Sequence, residues 1–268
     1  MPVSRGVTLA ELLVALVLLG LVGALLTRAG LQAERVARSH EERTRLHAGF
    51  DAAAGFLRAE LADLGPGDLA QAAPESLRYR ATRGVGTACQ VRADEVRLLR
   101  ASLRADRSPQ PGRDSLWLPL VPDDPRRADS AGVILPIASS TNSSCAGAAA
   151  LALGTVIDTL AHPLHALPAG IGARYFEVMQ VRFYASLGTG WLGARSVSAG
   201  EVIQPLAGPF TLGASRFAGW DSTGAPTLSL PLVRSLGAVL AGTRGHWPAA
   251  PGAVAESTMV RVTPANLP

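Results

Sequence analysis

The chain has 268 residues and a formal net charge of +4. All 25 basic residues are arginine, and no dense basic run with interleaved aromatic residues occurs, so a dedicated nucleic-acid surface is not expected. Without an apolar N-terminal segment, about 200 residues remain, which is enough for one domain with a buried core.

The first predicted element is an apolar segment, residues 7–27, in which Glu11 carries the only charge. Its length suits the roughly 20 residues that a helix needs to cross a bilayer. A carboxylate inside such a segment disfavours membrane insertion. Glu11 is therefore a candidate functional residue, and its partner has to be identified.

Hydropathy alone leaves three other interpretations of this segment open: a cleaved secretory signal peptide, a plain signal anchor and a buried core helix. Arg5 supplies the basic start of a signal peptide. However, an acidic residue one turn into the apolar run is unusual for a signal peptide, and the run continues directly into a long helical pattern.

The order of the residues favours a fourth interpretation. The sequence SRG-VTLAELLVAL resembles the type III signal of prepilins, the motif of the type IV pilin and type II secretion pseudopilin superfamily. The matching elements are Gly6, Thr8, Leu9, Glu11 and the apolar run. One position departs from the pattern, because Val7 stands where the family usually has phenylalanine.

The resemblance implies that prepilin peptidase cuts between Gly6 and Val7 and N-methylates Val7. A glycine at the cut lets the backbone approach a protease closely. Glu11 would then neutralise the Val7 ammonium of its own chain or of a neighbouring subunit, since buried opposite charges attract strongly. Thr8, Leu9 and Glu11 are the expected assembly residues, and sibling pilins and inner-membrane lipid are the expected partners.

The same resemblance implies a single-pass inner-membrane protein with its leader in the cytoplasm and its domain in the periplasm, later moved into a pilus or pseudopilus. The distribution of arginine does not favour this orientation. Arg5 alone precedes the apolar segment, whereas Arg28, Arg35 and Arg38 follow it. The expected topology therefore rests on the motif.

The helix is predicted to continue to Leu64. Apolar residues recur at three- and four-residue steps from Leu46, and Gly65, Pro66 and Gly67 then end the pattern. The expected segments are a leader (residues 1–6), a transmembrane helix half (7–27), an amphipathic helix half (28–64) and an extracytoplasmic strand-rich domain (65–268).

Short apolar runs punctuated by glycine and proline predict strands at residues 94–101, 115–121, 132–137, 152–157, 176–185, 210–217, 235–240 and 258–263. Strands after one long helix predict an α+β fold, with an antiparallel sheet packed on the helix. The pilin resemblance implies the same fold. The C-terminal third also resembles W-type minor pilins and J-type pseudopilins, with a tight turn at residues 221–224.

Two cysteines, Cys89 and Cys145, lie outside the apolar segment. If the domain is exported they are expected to form a disulfide, the alternative being two buried thiols. No metal or cofactor is expected: His162 and His165 are separated by a proline, and Asp123 and Asp124 are flanked by prolines, as in a turn.

The sequence therefore predicts a minor pilin or pseudopilin with a role in assembly. A pilus-borne binding module for a surface, DNA or a secreted substrate is the alternative. A membrane-tethered enzyme ranks last, because no nucleophile elbow, P-loop or dinucleotide-binding glycine pattern is present.

Overall fold

The computed structural model describes residues 9–65, 67–92, 94–119, 132–155, 169–244 and 254–264. This part of the chain consists of a long helix followed by antiparallel strands, so the predicted α+β class is confirmed. The elements are α1 (Leu9–Leu61), β1 (Leu69–Ala73), β2 (Ser76–Val91), β3 (Glu95–Leu99), β4 (Arg104–Ala105), β5 (Asp114–Pro119), β6 (Gly132–Cys145), β7 (Ala148–Thr155), β8 (Ile171–Ser186), β9 (Thr189–Ser196), β10 (Gln204–Phe210), β11 (Arg216–Trp220), β12 (Ser235–Arg244) and β13 (Val254–Val262).

The chain divides into two compact units. The first contains Met1–Ala48 and Thr243–Val254, and within it α1 is exposed to solvent along residues 9–41. The second contains Gly49–Gly242 and Ala255–Pro268, and thus holds the last turns of α1 and the ten-stranded main sheet.

Within the second unit, α1 packs its apolar stripe on the main sheet. Phe50 stacks on Phe210 of β10 with ring centroids 6.0 Å apart, and Phe210 meets the edge of Phe183 on β8. Leu57 and Leu61 are completely buried. The predicted stripe is therefore the face that α1 buries.

The helix ends at Leu61, three residues before the predicted end at Leu64. The Asp68 carboxylate accepts a hydrogen bond from the Gly65 backbone N–H at 2.7 Å, and Gly67 has a positive φ of 77°. The chain thus leaves the helix through a turn stabilised by a buried side chain, which hydrophobic periodicity does not reveal.

Two 16-residue strands, β2 and β8, pair from Ser76↔Arg182 to Ala88↔Ile171. A register shift between Thr82 and Gly84 makes Arg83 a β-bulge. Because a bulge inserts one residue, the side chains of β2 that face inward change from odd-numbered to even-numbered positions there. The two strands therefore contribute side chains to two different hydrophobic cores.

The second core is closed by a ring of pairings. From β8 the hydrogen bonds run through β2, β3, β7, β6 and β5 and return to β8, which makes a six-stranded antiparallel barrel. Its interior is apolar and includes the fully buried Leu98, Leu116, Leu118, Leu153 and Tyr175. The sequence prediction did not include this barrel.

Several strand predictions needed correction. Residues 210–217 were predicted as one strand, but they contain the end of β10, a turn and the start of β11. Five strands, β1, β2, β4, β9 and β10, were not predicted. In β2 the glycines at positions 84 and 86 lower the strand propensity, yet Gly84 is required: a Cβ there would lie 2.4 Å from a ring carbon of Tyr175.

Candidate functional site

The described part of the N-terminal motif begins inside α1. Leu9 is 81% exposed, and Glu11 lies in the first turn of the helix. The predicted processing residues Gly6 and Val7, and the predicted assembly residue Thr8, lie outside the described residues. Their geometry therefore stays a prediction.

After Glu11 the helix is apolar on every side. Leu, Val and Ala side chains cover it from Leu12 to Leu26, and the large ones are between 52% and 70% exposed. A helix that is apolar all round is normally buried in protein or in lipid. Within the described residues α1 is the helix that is long and apolar enough to cross a membrane. The apolar surface of α1 is therefore suited to contact with lipid or with neighbouring helices.

A second cluster of functional groups lies inside the domain, and the sequence analysis missed it. We call it the ion cluster: Glu60 of α1, Arg83 of β2, Arg107 and Arg113, Asp114 of β5 and Glu177 of β8. Its centre is Glu177, whose side chain is 1% exposed. The Glu177 carboxylate accepts hydrogen bonds from the Arg113 Nε at 2.5 Å, the Arg83 Nε at 3.1 Å and an Arg107 Nη at 3.2 Å.

The outer members of the ion cluster extend it to the helix and to β5. Arg83 donates to Glu60 at 3.0 Å, while Arg107 makes two 2.6 Å hydrogen bonds to the buried Asp114. Glu177 follows Tyr175 and precedes Met179 on the inward face of β8. The ion cluster therefore separates the barrel core from the helix–sheet core.

The electrostatics of Glu177 follow from these contacts. Burial by itself would raise the pKa of its carboxyl, but hydrogen bonds from Ser196 and the arginines outweigh burial and lower that pKa below its ordinary value. Arginine stays protonated, so the ion cluster has no group suited to move a proton near neutral pH. We therefore interpret the ion cluster as a structural brace, that is, a set of ion pairs that holds α1, β2, β5 and β8 together.

Two further braces lie nearby. Asp68 is fully buried and receives two hydrogen bonds from Arg174, at 2.6 and 2.5 Å, beside the end of α1. Cys89 of β2 and Cys145 of β6 are joined by a disulfide, with their Cα atoms 6.3 Å apart. The disulfide therefore links the tip of the β6–β7 hairpin to β2, another strand of the barrel.

Within the described residues no group of three or more His, Cys, Asp or Glu side chains could hold a metal ion. His162, His165, Asp123 and Asp124 lie outside those residues. The predicted turn at residues 221–224 is present. The Asp221 carboxylate accepts hydrogen bonds from the backbone N–H groups of Thr223 and Ala225.

The comparison with known families concerns the N-terminus. A family model for the prokaryotic N-terminal methylation motif matches residues 1–27. The N-terminus therefore carries a prepilin-type methylation motif on a helix long and apolar enough to cross a membrane, which supports a relation to type IV pilins and pseudopilins. No curated protein and no solved structure matches this pilin-like chain. The family is structural rather than enzymatic, and its prepilin motif implies processing by prepilin peptidase and assembly with other pilins.

Proposed function

We propose that this pilin-like protein is a minor pilin or pseudopilin that is cleaved after Gly6, methylated at Val7 and assembled through α1 into a type IV pilus or a type II secretion pseudopilus. One observation carries the proposal. The apolar N-terminal part of α1 is exposed, and it bears one carboxylate, that of Glu11, in the first turn of the helix and within the prepilin motif.

The pairing of Glu11 with an ammonium explains why that carboxylate is retained. A neighbouring subunit places its Val7 amine beside Glu11 only when the two helices are in register. In a low-dielectric surrounding the attraction is strong, and a charge left alone is costly. Glu11 thus selects the register of assembly, and the apolar surface of α1 supplies the packing.

A position near the filament tip is part of the same proposal. Its support is the resemblance of the C-terminal third to W-type minor pilins and J-type pseudopilins, together with the size of the domain. The six-stranded barrel enlarges the domain beyond the part of the sheet that packs on α1. A large domain suits a subunit that is present in few copies.

Tryptic mass spectrometry of the membrane-extracted protein tests processing. The chain has no lysine, and no arginine lies between Arg5 and Arg28. Trypsin therefore releases the whole apolar segment as one peptide. In a strain with active prepilin peptidase we expect residues 7–28, heavier by one methylene group. A peptide that still carries residue 6, or an intact protein mass that includes Met1, would contradict the proposal.

Incorporation of Glu11 variants tests the assembly role. We expect Glu11→Leu to reach the membrane and to be about tenfold depleted from sheared filaments, which corresponds to roughly 1.4 kcal/mol of lost pairing. Glu34→Leu is the matched control, since exposed Glu34 forms only a surface pair with Arg38. Equal incorporation of Glu11→Leu and the parent would rule out the pairing.

A pilus-borne binding module is the second candidate function. It is favoured by the charge distribution on the main sheet, on the face that α1 does not cover.

A further inference from the structure

Two groups of arginines in the domain differ in their partners. Those inside or beside the barrel are paired with carboxylates; this set is Arg83, Arg97, Arg107, Arg113 and Arg174. A second set lies on the main sheet and forms no salt bridge with a described carboxylate: Arg78, Arg80, Arg182 and Arg195. These four arginines lie on one face of the sheet, whereas other arginines without a described salt bridge, such as Arg104 of β4 and Arg216 of β11, lie elsewhere.

The strand register places the second set together. Arg78 of β2 lies opposite Gln180 of β8, and Gln180 lies opposite Arg195 of β9. Residues directly opposite each other point to the same side of a sheet. Arg182, two positions from Gln180, lies on that side as well, and so does Arg80, two positions from Arg78.

This face is turned away from α1. The neighbouring residues on the same strands point to the helix: Tyr79 donates a hydrogen bond to Glu60, and Phe183 contacts Phe210, on which Phe50 stacks. Arg78 and Arg182 are exposed. Arg80 and Arg195 are half-buried on the same side of the sheet.

Two aromatic side chains complete the surface. Tyr184 and Trp191 are directly opposite each other on β8 and β9 and are half-buried. Arg195 donates to the Gln180 side chain, and Arg80 lies over the Phe176 ring, so these two guanidinium groups are held in place. We call this surface the arginine face: Arg78, Arg80, Arg182, Arg195, Tyr184 and Trp191.

We propose that the arginine face binds single-stranded nucleic acid. Guanidinium groups match phosphate oxygens in geometry and charge. Adjacent strands are about 4.8 Å apart, so the arginines span roughly 10 Å across three strands. The aromatic pair offers planar surfaces for base stacking, and cationic tracks beside aromatic rings are the common design of single-strand binders. A single nucleic-acid strand can also turn its bases toward the protein, which a duplex does not permit.

Carboxylates on the same strands do not neutralise the positive charge of the arginine face. Strands β2, β8 and β9 carry one carboxylate, that of Glu177, and it lies on the opposite face of the sheet. Four guanidinium groups with no carboxylate of these strands on the same side leave the arginine face with net positive charge. The inference does not depend on processing or assembly.

The full-length protein in non-ionic detergent tests the inference. The probe is a fluorescein-labelled oligothymidylate of about 20 nucleotides, followed by fluorescence anisotropy between roughly 50 and 200 mM NaCl. We expect R78Q/R182Q to weaken binding about tenfold and to reduce the slope of log K against log salt concentration by about 1.4, that is, about 0.7 for each lost phosphate contact. The matched control, R92Q/R104Q, removes two exposed arginines elsewhere and should bind within about twofold of the parent.

Two results would overturn the inference: no binding by the parent, or equal loss in the two double variants. Competition separates nucleic acid from other polyanions. Unlabelled oligothymidylate should displace the probe at lower phosphate concentration than inorganic polyphosphate or a duplex of equal length, because only a single strand adds base stacking. Equal displacement by polyphosphate would exclude the nucleic-acid assignment. Binding is measured on the unassembled protein, so failure here leaves the pilin function intact.

Discussion

Glu11 and Glu177 are both carboxylates in apolar stretches of sequence, and their environments lead to different roles. Glu177 is buried among three arginines of its own chain, so its charge is compensated inside the fold. Glu11 lies in a helix whose surface is exposed along its apolar length, and we assign its partner to a processed N-terminus. In both cases the partner of the charge decides whether the residue stabilises one domain or an assembly.

Replacing Glu177 should destabilise the domain strongly. Glu177→Gln leaves three partly buried guanidinium groups without their common buried carboxylate, and we expect the free energy of unfolding to fall by about 3 kcal/mol, the lower end of the range for a broken buried ion pair. Chemical denaturation followed by tryptophan fluorescence measures this change. Glu75→Gln, at an exposed position, should stay within about 0.5 kcal/mol of the parent, and a similarly small effect for Glu177→Gln would show that the ion cluster is not a brace.

The lowered pKa of Glu177 gives this contribution a pH dependence. A carboxyl with a depressed folded-state pKa stabilises the fold above its unfolded value, about 4.3, and loses that contribution as the pH falls through the folded value. The parent should therefore lose stability below about pH 4. Glu177→Gln should lose less over the same interval, and parallel curves would contradict the assignment.

At the level of elements, β2 is the strand that links the helix–sheet core to the barrel. The bulge at Arg83 sends this side chain into the ion cluster and turns Gly84 toward Tyr175. The Tyr175 hydroxyl donates a hydrogen bond to the Arg107 backbone carbonyl, which holds the ring over Gly84. A small residue at position 84 is therefore a packing requirement.

Gly84→Ala should destabilise the domain by about 1–3 kcal/mol, since the new methyl group overlaps the Tyr175 ring. Gly55→Ala is the matched control, because Gly55 is exposed on α1 and has open space around it. Helix propensity favours that change by up to about 1 kcal/mol. Thermal unfolding of both variants distinguishes the two effects, and equal melting temperatures would argue against close packing at Gly84.

The disulfide between Cys89 and Cys145 also links two elements, β2 and β6. It closes a loop with a sequence separation of 56 residues, so its removal should cost about 4 kcal/mol by the chain-entropy model. We expect Cys89→Ser/Cys145→Ser to unfold at lower denaturant concentration, and dithiothreitol to lower the parent to the same value. If dithiothreitol leaves the parent unchanged while the double variant is destabilised, packing rather than cross-linking explains the effect.

At the scale of the whole molecule, α1 belongs partly to each compact unit. Its apolar N-terminal part matches the methylation motif model, and its last turns form part of the domain core. One helix thus provides both the surface suited to a membrane and the support of the sheet.

The expected topology can be tested on cells. Trypsin added to spheroplasts should digest the domain and leave residues up to Arg28 with the membrane, because the apolar segment contains no arginine. Trypsin added to inside-out vesicles should leave the domain intact. Digestion of the domain only in the vesicles would reverse the proposed orientation.

The N-terminal motif and the fold class could be predicted from the sequence because both depend on local order. A glycine, a glutamate and an apolar run at fixed spacing need no other part of the chain to be recognised. The stripe from Phe50 to Leu61 is likewise a short-range pattern, and the structure buries it as predicted.

The barrel, the ion cluster and the arginine face were decided only by tertiary structure. Arg83 and Glu177 are 94 residues apart in the chain, and Arg78 and Arg195 lie on one face, on either side of Gln180, only because β8 pairs with both β2 and β9. In the linear sequence the arginines look evenly spread, so no nucleic-acid surface was expected from it. Strand register places four of them on one face of the sheet. Long-range pairing depends on which strands become neighbours, and local residue patterns do not carry that information.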